Sequence, residues 1–313
     1  PCPSKASELR EAFSGRSAGL DSEGRPALKM TPPEIADAAL EADCLMGPSH
    51  AFTPWTGLYA HYKSLDECYQ ERSSQIPFIE LGLSADSDYA DRISELEDRT
   101  FLSNSDAHSP WPNKLGREFN QREMGDISFE GLRKAIMRGG GSGPTLNVGF
   151  PPEEGKYNRT ACTRCYRHHS LEEMKDRGGR CECGGLIKVG VKDRVDILAD
   201  RPDPVHPPHR PPYLHLIPLA EIIAMALEVK GVYSSRVQKI WNELIRGKSE
   251  IEVLVETDLS EIRGEDRVVD AIRAFRSKDL VVEPGGGGKY GSVTIRNVPK
   301  ERWSDDQRSL FDF

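Results

Sequence analysis

Residues 101–116 read FLSNSDAHSPWPNKLG, a short apolar run followed by a polar segment with two prolines. The run predicts a strand that ends before Asp106. Asp106 and His108 then lie on one side of the chain, because residues i and i+2 of an extended segment share a face. Carboxylate and imidazole together are typical of metal sites. The alternative is that both are hydrogen-bonding residues of an ordinary loop.

Two further apolar runs end on a residue that can bind a metal. CLMGPSH ends at His50, and FIELGLSAD places Glu80 near the end of a predicted strand. In barrel-like α/β folds the catalytic groups lie at the carboxyl ends of strands, so ligands that are distant in sequence converge there. His50, Glu80, Asp106 and His108 are therefore candidate catalytic residues and metal ligands. Four are too few for a site with two or three metals, so further ligands are expected.

The order of predicted elements indicates the fold class. Helical patterns at 31–43, 64–74, 88–98 and 127–140 alternate with short apolar runs, which is typical of an α/β fold with parallel strands. The glycine-rich segment GGGSGP at 139–144 interrupts this order. Three amphipathic helical patterns follow the proline-rich segment 201–212.

Charge and hydropathy exclude some classes of protein. The 313 residues carry a formal net charge of −8, which argues against non-specific coating of nucleic acid but allows a local basic surface. No run of eighteen apolar residues predicts a transmembrane helix, and no signal peptide is visible. Four of the seven cysteines are clustered, which favours a metal site in a reducing compartment, and a cytoplasmic location is expected.

The cysteine cluster consists of CTRC at 162–165 and CEC at 181–183. Two such knuckles typically form a tetrahedral structural zinc site, although the second is one residue shorter than usual. The predicted ligands are Cys162, Cys165, Cys181 and Cys183, and His168 and His169 are possible substitutes. Residues 162–194 hold eight Lys or Arg against five Asp or Glu, a surplus that fits contact with a phosphate backbone. A purely structural role is the alternative.

A glycine-rich segment and a basic pair are candidates for DNA contact. PGGGGKYG at 284–291 allows a close approach of backbone to phosphate, and it lacks the spacing of a nucleotide-hydrolysing P-loop. A flexible hairpin turn is its alternative. Lys114 and Arg117 are placed to hold phosphates, unless they form a solvated surface pair. The predicted DNA-binding residues are Lys114, Arg117, Gly286, Gly287, Lys289 and Tyr290. Trp55 and Trp111 could stack on an extruded base or pack in the core.

The last residues, QRSLFDF at 307–313, place Gln307, Leu310 and Phe313 on one side of a short helical turn. This spacing suits a helix that binds in a groove of a partner protein. The alternative is a tail without a partner.

The quoted motifs resemble those of a known family. SNSDAHSPW resembles the closing motif of the PHP (polymerase and histidinol phosphatase) superfamily. PSHAFTPW, ELGLSAD, SNSDAHSPWPNKLGRE, the cysteine cluster and VVEPGGGGKYG occur in the order found in the endonuclease Q family. The tail resembles the sliding-clamp-binding tails of archaeal repair proteins, although its second terminal aromatic is absent or out of register.

The resemblance implies a fold and an activity. We expect an α/β fold with a partial PHP-type distorted (β/α) barrel at 1–145, a zinc finger at 146–200, a helical DNA-binding domain at 201–298 and a clamp-binding tail at 299–313. The implied barrel site holds two or three divalent metals (Zn, Mn or Mg). The implied reaction is hydrolysis of DNA on the 5′ side of deoxyuridine, hypoxanthine, xanthine or abasic sites. The family's opening His-x-His pair has no counterpart before His50, so we expect that part of the barrel to be missing.

Two other functions stay open from the sequence. A PHP phosphatase of a small phosphorylated metabolite would use the same ligands, but it needs neither a zinc finger nor a clamp-binding tail. A non-catalytic module that binds DNA or a clamp is favoured by the absent His-x-His pair.

Overall fold

The computed structural model describes residues 3–22, 26–111 and 114–296. Its helices alternate with short strands, and 3₁₀ turns join several of them. The α-helices of these residues are α1 (Pro3–Phe13), α2 (Pro32–Glu41), α3 (Leu58–His61), α4 (Leu65–Tyr69), α5 (Ser87–Ala90), α6 (Phe129–Ile136), α7 (Leu171–Asp176), α8 (Val191–Leu198), α9 (Leu219–Leu227), α10 (Ser235–Leu244) and α11 (Asp266–Arg276).

The strands of the described residues form four small sheets. They are β1 (Phe78–Glu80), β2 (Thr100–Leu102), β3 (Phe119–Glu123), β4 (Gly143–Gly149), β5 (Ala161–Cys162), β6 (Ile187–Lys188), β7 (Tyr213–His215), β8 (Leu280–Glu283) and β9 (Ser292–Ile295). Strands β1 and β2 pair in parallel, whereas β5–β6 and β8–β9 are antiparallel. The third sheet has the order β3-β4-β7. The fold is therefore mixed α/β; the barrel and the four-part division of the chain remain predictions.

The chain divides into two compact units, each made of separate segments. Unit 1 consists of residues 1–103, 120–147 and 194–213, and unit 2 consists of residues 104–119, 148–193 and 214–313. No helix among the described residues has the length and apolar character needed to cross a membrane.

Two predicted helices are confirmed and two are much shorter than expected. Helix α2 begins after Thr31, whose backbone N–H donates to Glu34 Oε2 at 2.7 Å, and helix α6 lies within 127–140. In contrast, the patterns at 64–74 and 88–98 form single turns of α-helix, each accompanied by a 3₁₀ segment. A few apolar positions over ten residues do not distinguish one long helix from two short turns.

The apolar run before His50, expected to end as a strand does, is not a strand in residues 44–48. Pro48 has no N–H to donate, and a Cβ on Gly47 would lie 2.3 Å from the Phe78 carbonyl oxygen. The segment instead runs beside the end of β1 and is joined to Glu80 by two backbone hydrogen bonds. Glu80 N–H donates to Pro48 O and Ala51 N–H donates to Glu80 O, both at 2.9 Å.

The core of unit 1 surrounds β1 and β2. Its largest fully buried side chains include Phe52, Tyr59, Ile79 and Phe101, and the Phe52 and Tyr59 rings stack with centroids 4.9 Å apart. The proline-rich segment 201–212 belongs to this unit. It carries Arg210, whose buried guanidinium lies 3.3 Å from the centroid of the Phe101 ring.

In unit 2 a helical core is formed by α9, α10 and α11. Most residues of helix α9 are buried. The side chains of the other two helices that share this core include Val237, Ile240, Val268 and Ile272. Strands β8 and β9 form a hairpin whose turn is the glycine loop, defined here as Pro284–Gly291. The segment is thus the connection of a hairpin, and its contact with DNA stays a prediction.

Candidate functional site

Unit 1 brings two of the predicted ligands together. Glu80, at the end of β1, is 4% exposed, and its Oε2 lies 2.7 Å from Nδ1 of His50. The same oxygen accepts the His50 backbone N–H at 2.5 Å, and Oε1 accepts the Gly82 N–H at 2.9 Å. Glu80 is therefore fixed by backbone donors, and its carboxylate contacts the His50 imidazole at the end of a strand. Both donor types occur in metal sites, and ligation by these two residues stays a prediction.

Asp106 and His108 lie in the loop after β2, within unit 2. His108 Nε2 is 3.5 Å from Asp106 Oδ1, and both side chains are exposed. Asp106 has a φ of +45° and His50 a φ of +46°, a left-handed conformation that few residues other than glycine adopt.

Arg117 has a structural contact that the sequence did not indicate. Its side chain is buried, and its Nη2 donates to the Ser105 carbonyl at 3.0 Å, one residue before Asp106. Its guanidinium also lies 5.2 Å from the centroid of the Phe150 ring. Arg117 thus stabilises the loop that carries Asp106. Lys114 is partly exposed. Phosphate contact by either residue stays a prediction.

Three acidic residues near Arg117 are not among the site residues predicted from the sequence. Glu118 and Glu154 are buried, Glu221 is partly buried, and one carboxylate oxygen of Glu154 and one of Glu221 are shielded from solvent without a hydrogen-bond partner. Burial raises the pKa of Glu221 to about 7, opposed by the charges of Arg117 and Lys114. Burial, together with the charges of Glu221 and Glu118, also raises the pKa of Glu154 well above its usual value.

The raised pKa of Glu221 predicts that the stability of the chain depends on pH. The folded state holds a proton on Glu221 more tightly than the unfolded state, so stability is lost as the pH rises from about 4.5 to about 7. The shift corresponds to about 3 kcal/mol. We expect Glu221→Gln, which mimics the protonated acid, to gain stability relative to the unmodified chain as the pH increases.

Urea unfolding at pH 5 and pH 8 measures this effect. Glu243→Gln, at an exposed position of α10, is the control and should show no such trend. Equal pH trends in the two variants would contradict the prediction.

The four clustered cysteines form one site in unit 2. One donor atom from each lies within 4.8 Å of all the others, and no other described group of three or more His, Cys, Asp or Glu does so. Cys162 Sγ is 3.4 Å from Cys183 Sγ, and Cys165 Sγ is 3.6 Å from Cys181 Sγ. These separations fit four thiolates around one tetrahedral zinc. His169 is buried and lies outside this group.

Backbone donors favour a thiolate at Cys162. Arg164 N–H and Cys165 N–H lie 3.3 and 3.5 Å from its Sγ. Desolvation raises the pKa of this thiol, but hydrogen bonds from the Cys165 and Arg164 N–H groups and from the thiols of Cys183 and Cys165 together outweigh it and lower the pKa to about 6. Metal ligation requires the thiolate, so this environment prepares the site for zinc.

The predicted DNA-binding residues of the glycine loop differ from one another in solvent exposure. Gly286 and Gly287 are buried, whereas Lys289 is exposed and Tyr290 is partly exposed. Lys156 Nζ lies 5.5 Å from the centroid of the Tyr290 ring. Trp55 and Trp111 are 43% and 50% exposed, so neither is a core residue, and the Trp111 ring lies 5.0 Å from that of Tyr233.

Comparison with known proteins identifies the family. The family model described as the MJ0043 C-terminal domain matches residues 218–279. The chain resembles the crystal structure of the lesion-specific endonuclease PfuEndoQ from Pyrococcus furiosus, with a TM-score of 0.85 and 49% identity over 94% of this chain and 73% of that one. It also resembles an endonuclease Q complex with a 27-mer duplex that has an abasic lesion at the active site. There the TM-score is 0.90 and the identity 47%, over 97% of this chain and 77% of that one. This chain belongs to the endonuclease Q family.

Two curated relatives are longer than the region they share with this endonuclease Q family member. The uncharacterized protein MJ0043 of Methanocaldococcus jannaschii is 43% identical over 269 residues, which are 83% of this chain and 33% of the relative. The uncharacterized protein YqxK of Bacillus subtilis is 32% identical over 249 residues, which are 79% of this chain and 60% of the relative. The chain thus spans a third and three fifths of their lengths.

The remaining predicted site lies outside the described residues of this endonuclease Q family member. Gln307, Leu310 and Phe313 fall in the segment 297–313, so their clamp-binding role stays a prediction.

Loss of one cysteine is expected to remove the zinc. We expect Cys165→Ser to abolish binding of one zinc per chain and to lower the unfolding temperature, because a structural zinc site contributes its binding free energy to folding. Metal analysis of the purified chain and thermal unfolding measure the two effects. Cys44→Ser, outside the cluster, should leave the zinc content unchanged. Full zinc content in Cys165→Ser would show that another residue replaces this ligand.

Proposed function

We propose that this chain acts in DNA repair as a metal-dependent endonuclease that hydrolyses the phosphodiester 5′ to a deaminated base or an abasic site. The main support is the 47% identity, over 97% of the chain, to an endonuclease Q that is bound to a duplex with an abasic lesion. The contact between His50 and Glu80 at the end of β1 adds an independent chemical argument.

The proposed metal ligands are His50, Glu80, Asp106 and His108. Their imidazole and carboxylate donors suit Zn²⁺ or Mn²⁺. When bound, such metals lower the pKa of a water molecule and neutralise phosphate oxygens. The chain's own residues prepare these donors: the N–H groups of His50 and Gly82 fix the Glu80 carboxylate, and Arg117 holds the Ser105 carbonyl next to Asp106.

DNA contact is proposed for two further regions. Exposed Lys289 and partly exposed Tyr290 form the tip of the glycine loop, and Lys114 follows the loop that carries Asp106. Lysine side chains bind phosphates, while an aromatic ring stacks on an unpaired base. The half-exposed rings of Trp55 and Trp111 are available for the same purpose.

A nicking assay tests the proposal. Duplexes with a single deoxyuridine, hypoxanthine, xanthine or abasic site are incubated with the chain and with a version extended at its N-terminus by the family's His-x-His segment, with Mn²⁺, Mg²⁺ or Zn²⁺ supplied in turn. The expected result is a nick 5′ to the lesion and none in undamaged duplex. Hydrolysis of a small phosphomonoester without nicking would support the phosphatase alternative. Lesion binding without nicking by either protein would support the non-catalytic one.

We also infer that the tail binds a sliding clamp, because the spacing of Gln307, Leu310 and Phe313 suits a helix that docks in a groove and resembles that of clamp-binding tails. Calorimetric titration of the clamp with a peptide of residues 299–313 tests this. Binding should disappear when Leu310 and Phe313 are both replaced by alanine, and equal binding of both peptides would contradict it.

A further inference from the structure

The glycine loop packs directly on the segment that leads into the zinc finger. A Cβ on Gly286 would lie 2.7 Å from Arg159 O and 2.9 Å from the Cβ of Ala161. A Cβ on Gly287 would lie 2.3 Å from the carbonyl oxygen of Cys162. Real Cβ atoms do not approach a carbonyl so closely, so both positions require glycine for close contact between backbones.

Hydrogen bonds hold the loop in this place. Arg159 N–H donates to Gly285 O at 2.9 Å, and Gly288 N–H donates to Lys156 O at 2.9 Å. Gly286 also forms an isolated parallel bridge with Arg159. The loop therefore lies beside residues 156–162 as an additional extended segment.

Cys162 connects this contact with the metal site. Its Sγ is one of the four clustered thiol sulfurs, and its carbonyl oxygen is the atom that a Cβ on Gly287 would meet first. That carbonyl also accepts the Tyr166 N–H at 3.0 Å, so it belongs to the first cysteine knuckle. A zinc ion bound by the cluster would fix the backbone on which the loop rests.

Tyr290, at the end of the loop, has Lys156 Nζ 5.5 Å from its ring centroid and is affected by the charges of other residues of unit 2. Burial raises the pKa of Tyr290, the charges of Lys156 and Arg117 lower it, and the charge of Asp106 raises it. Tyr290 is therefore within electrostatic range of the loop that carries Asp106. Exposed Lys289 precedes it.

We propose that the zinc finger positions the glycine loop for contact with DNA. Its zinc fixes the backbone of Cys162, and Cys162 fixes the glycine loop. The loop in turn holds Lys289 and Tyr290 against damaged DNA. The DNA part of this inference rests on the proposed function. The coupling between zinc and the loop does not, and the two are measured separately.

Gly287→Ala is the main test, with Gly247→Ala as its matched control. Both glycines have a left-handed φ, +67° and +77°, so both substitutions strain the backbone. A Cβ on Gly247 has no neighbour within 4 Å, so that variant lacks the clash with Cys162. Gly286→Ala is a second variant without a left-handed φ, in case Gly287→Ala does not fold.

Three measurements are made on each variant: zinc content, hydrogen exchange of amides 285–291, and affinity for an abasic duplex in an Asp106→Ala background that leaves the DNA uncut. We expect Gly287→Ala to keep its zinc, to lose exchange protection in the loop and to bind the duplex at least tenfold more weakly. Gly247→Ala should change neither protection nor affinity by more than twofold. Cys165→Ser should lose zinc and loop protection together.

Each part of the inference can fail on its own. Unchanged loop protection after loss of zinc would overturn the coupling. The role of the loop in DNA contact would be overturned if Gly287→Ala lost exchange protection in the loop but kept its affinity for the abasic duplex. Full affinity for that duplex in Lys289→Gln would also overturn it. If the Asp106→Ala chain with no other change bound abasic duplex no better than undamaged duplex, the proposed function would fail, while the exchange data would still report on the coupling.

Discussion

Replacing Arg210 by methionine is expected to lower the free energy of unfolding by about 3–5 kcal/mol, because it leaves a buried carboxylate without its main partner. Arg210 Nη2 lies 2.8 Å from Asp91 Oδ1, and Nε lies 2.9 Å from Oδ2. Both side chains are almost fully buried. Nη1 also donates to the Arg99 carbonyl at 2.6 Å. His206 Nδ1, 2.7 Å from Asp91, remains as a partial partner, which favours the lower end of the range.

Urea unfolding of the chain measures this loss, and Arg236→Met is its matched control. Arg236 also makes two contacts with one carboxylate, both at 2.9 Å to Glu265, but this pair is exposed. Exposed pairs contribute about 0–1 kcal/mol. Similar losses in the two variants would show that burial of the Asp91 pair is not the cause. The double variant Asp91→Leu/Arg210→Met should recover part of the stability, since neither charge remains buried alone.

Asp106→Asn is expected to reduce nicking of an abasic duplex at least about a hundredfold with little change in stability. The amide has the size of the carboxylate but not its charge, which a divalent metal requires. The Asp106 side chain is 42% exposed, so the substitution costs less stability than one at a buried carboxylate. The measurement is single-turnover nicking at saturating DNA, together with thermal unfolding.

Asp43→Asn is the control for this substitution. Asp43 is also exposed and has a φ of +52°, close to the +45° of Asp106, so both variants place asparagine in the same left-handed conformation. It should nick at the unmodified rate. An equal loss in both variants would mean that the backbone conformation, and not the carboxylate of Asp106, determines the rate.

Local patterns predicted those parts of the molecule that depend on few neighbouring residues. The four cysteines meet as their spacing indicated, and the glycine-rich segment is a hairpin turn between β8 and β9. The placement of Glu80 at the end of a strand is also confirmed. In each case the relevant residues lie within one short segment or follow an established spacing.

Contacts between distant segments could not be predicted. Arg117 looks like a surface residue in the sequence, yet it is buried near Glu154 and Glu221, which follow much later in the chain. Nothing in the proline-rich segment 201–212 indicates burial, but Arg210 pairs with Asp91 over a separation of 119 residues. Composition and periodicity predict the secondary structure of a single segment. The burial of Arg117 and Arg210 depends instead on which distant segments pack against them.

The interleaving of the two units has a consequence for synthesis on the ribosome. Unit 1 begins with the first residues but includes residues 194–213. Asp91 therefore leaves the ribosome long before Arg210, and the unit stays incomplete while residues 148–193 are made. A domain of contiguous sequence can fold as soon as it emerges, but here closure of a long loop has to come first. The nascent chain thus exposes the partly formed core of unit 1 until residues 194–213 have been translated, whereas a contiguous domain of equal size would already be buried.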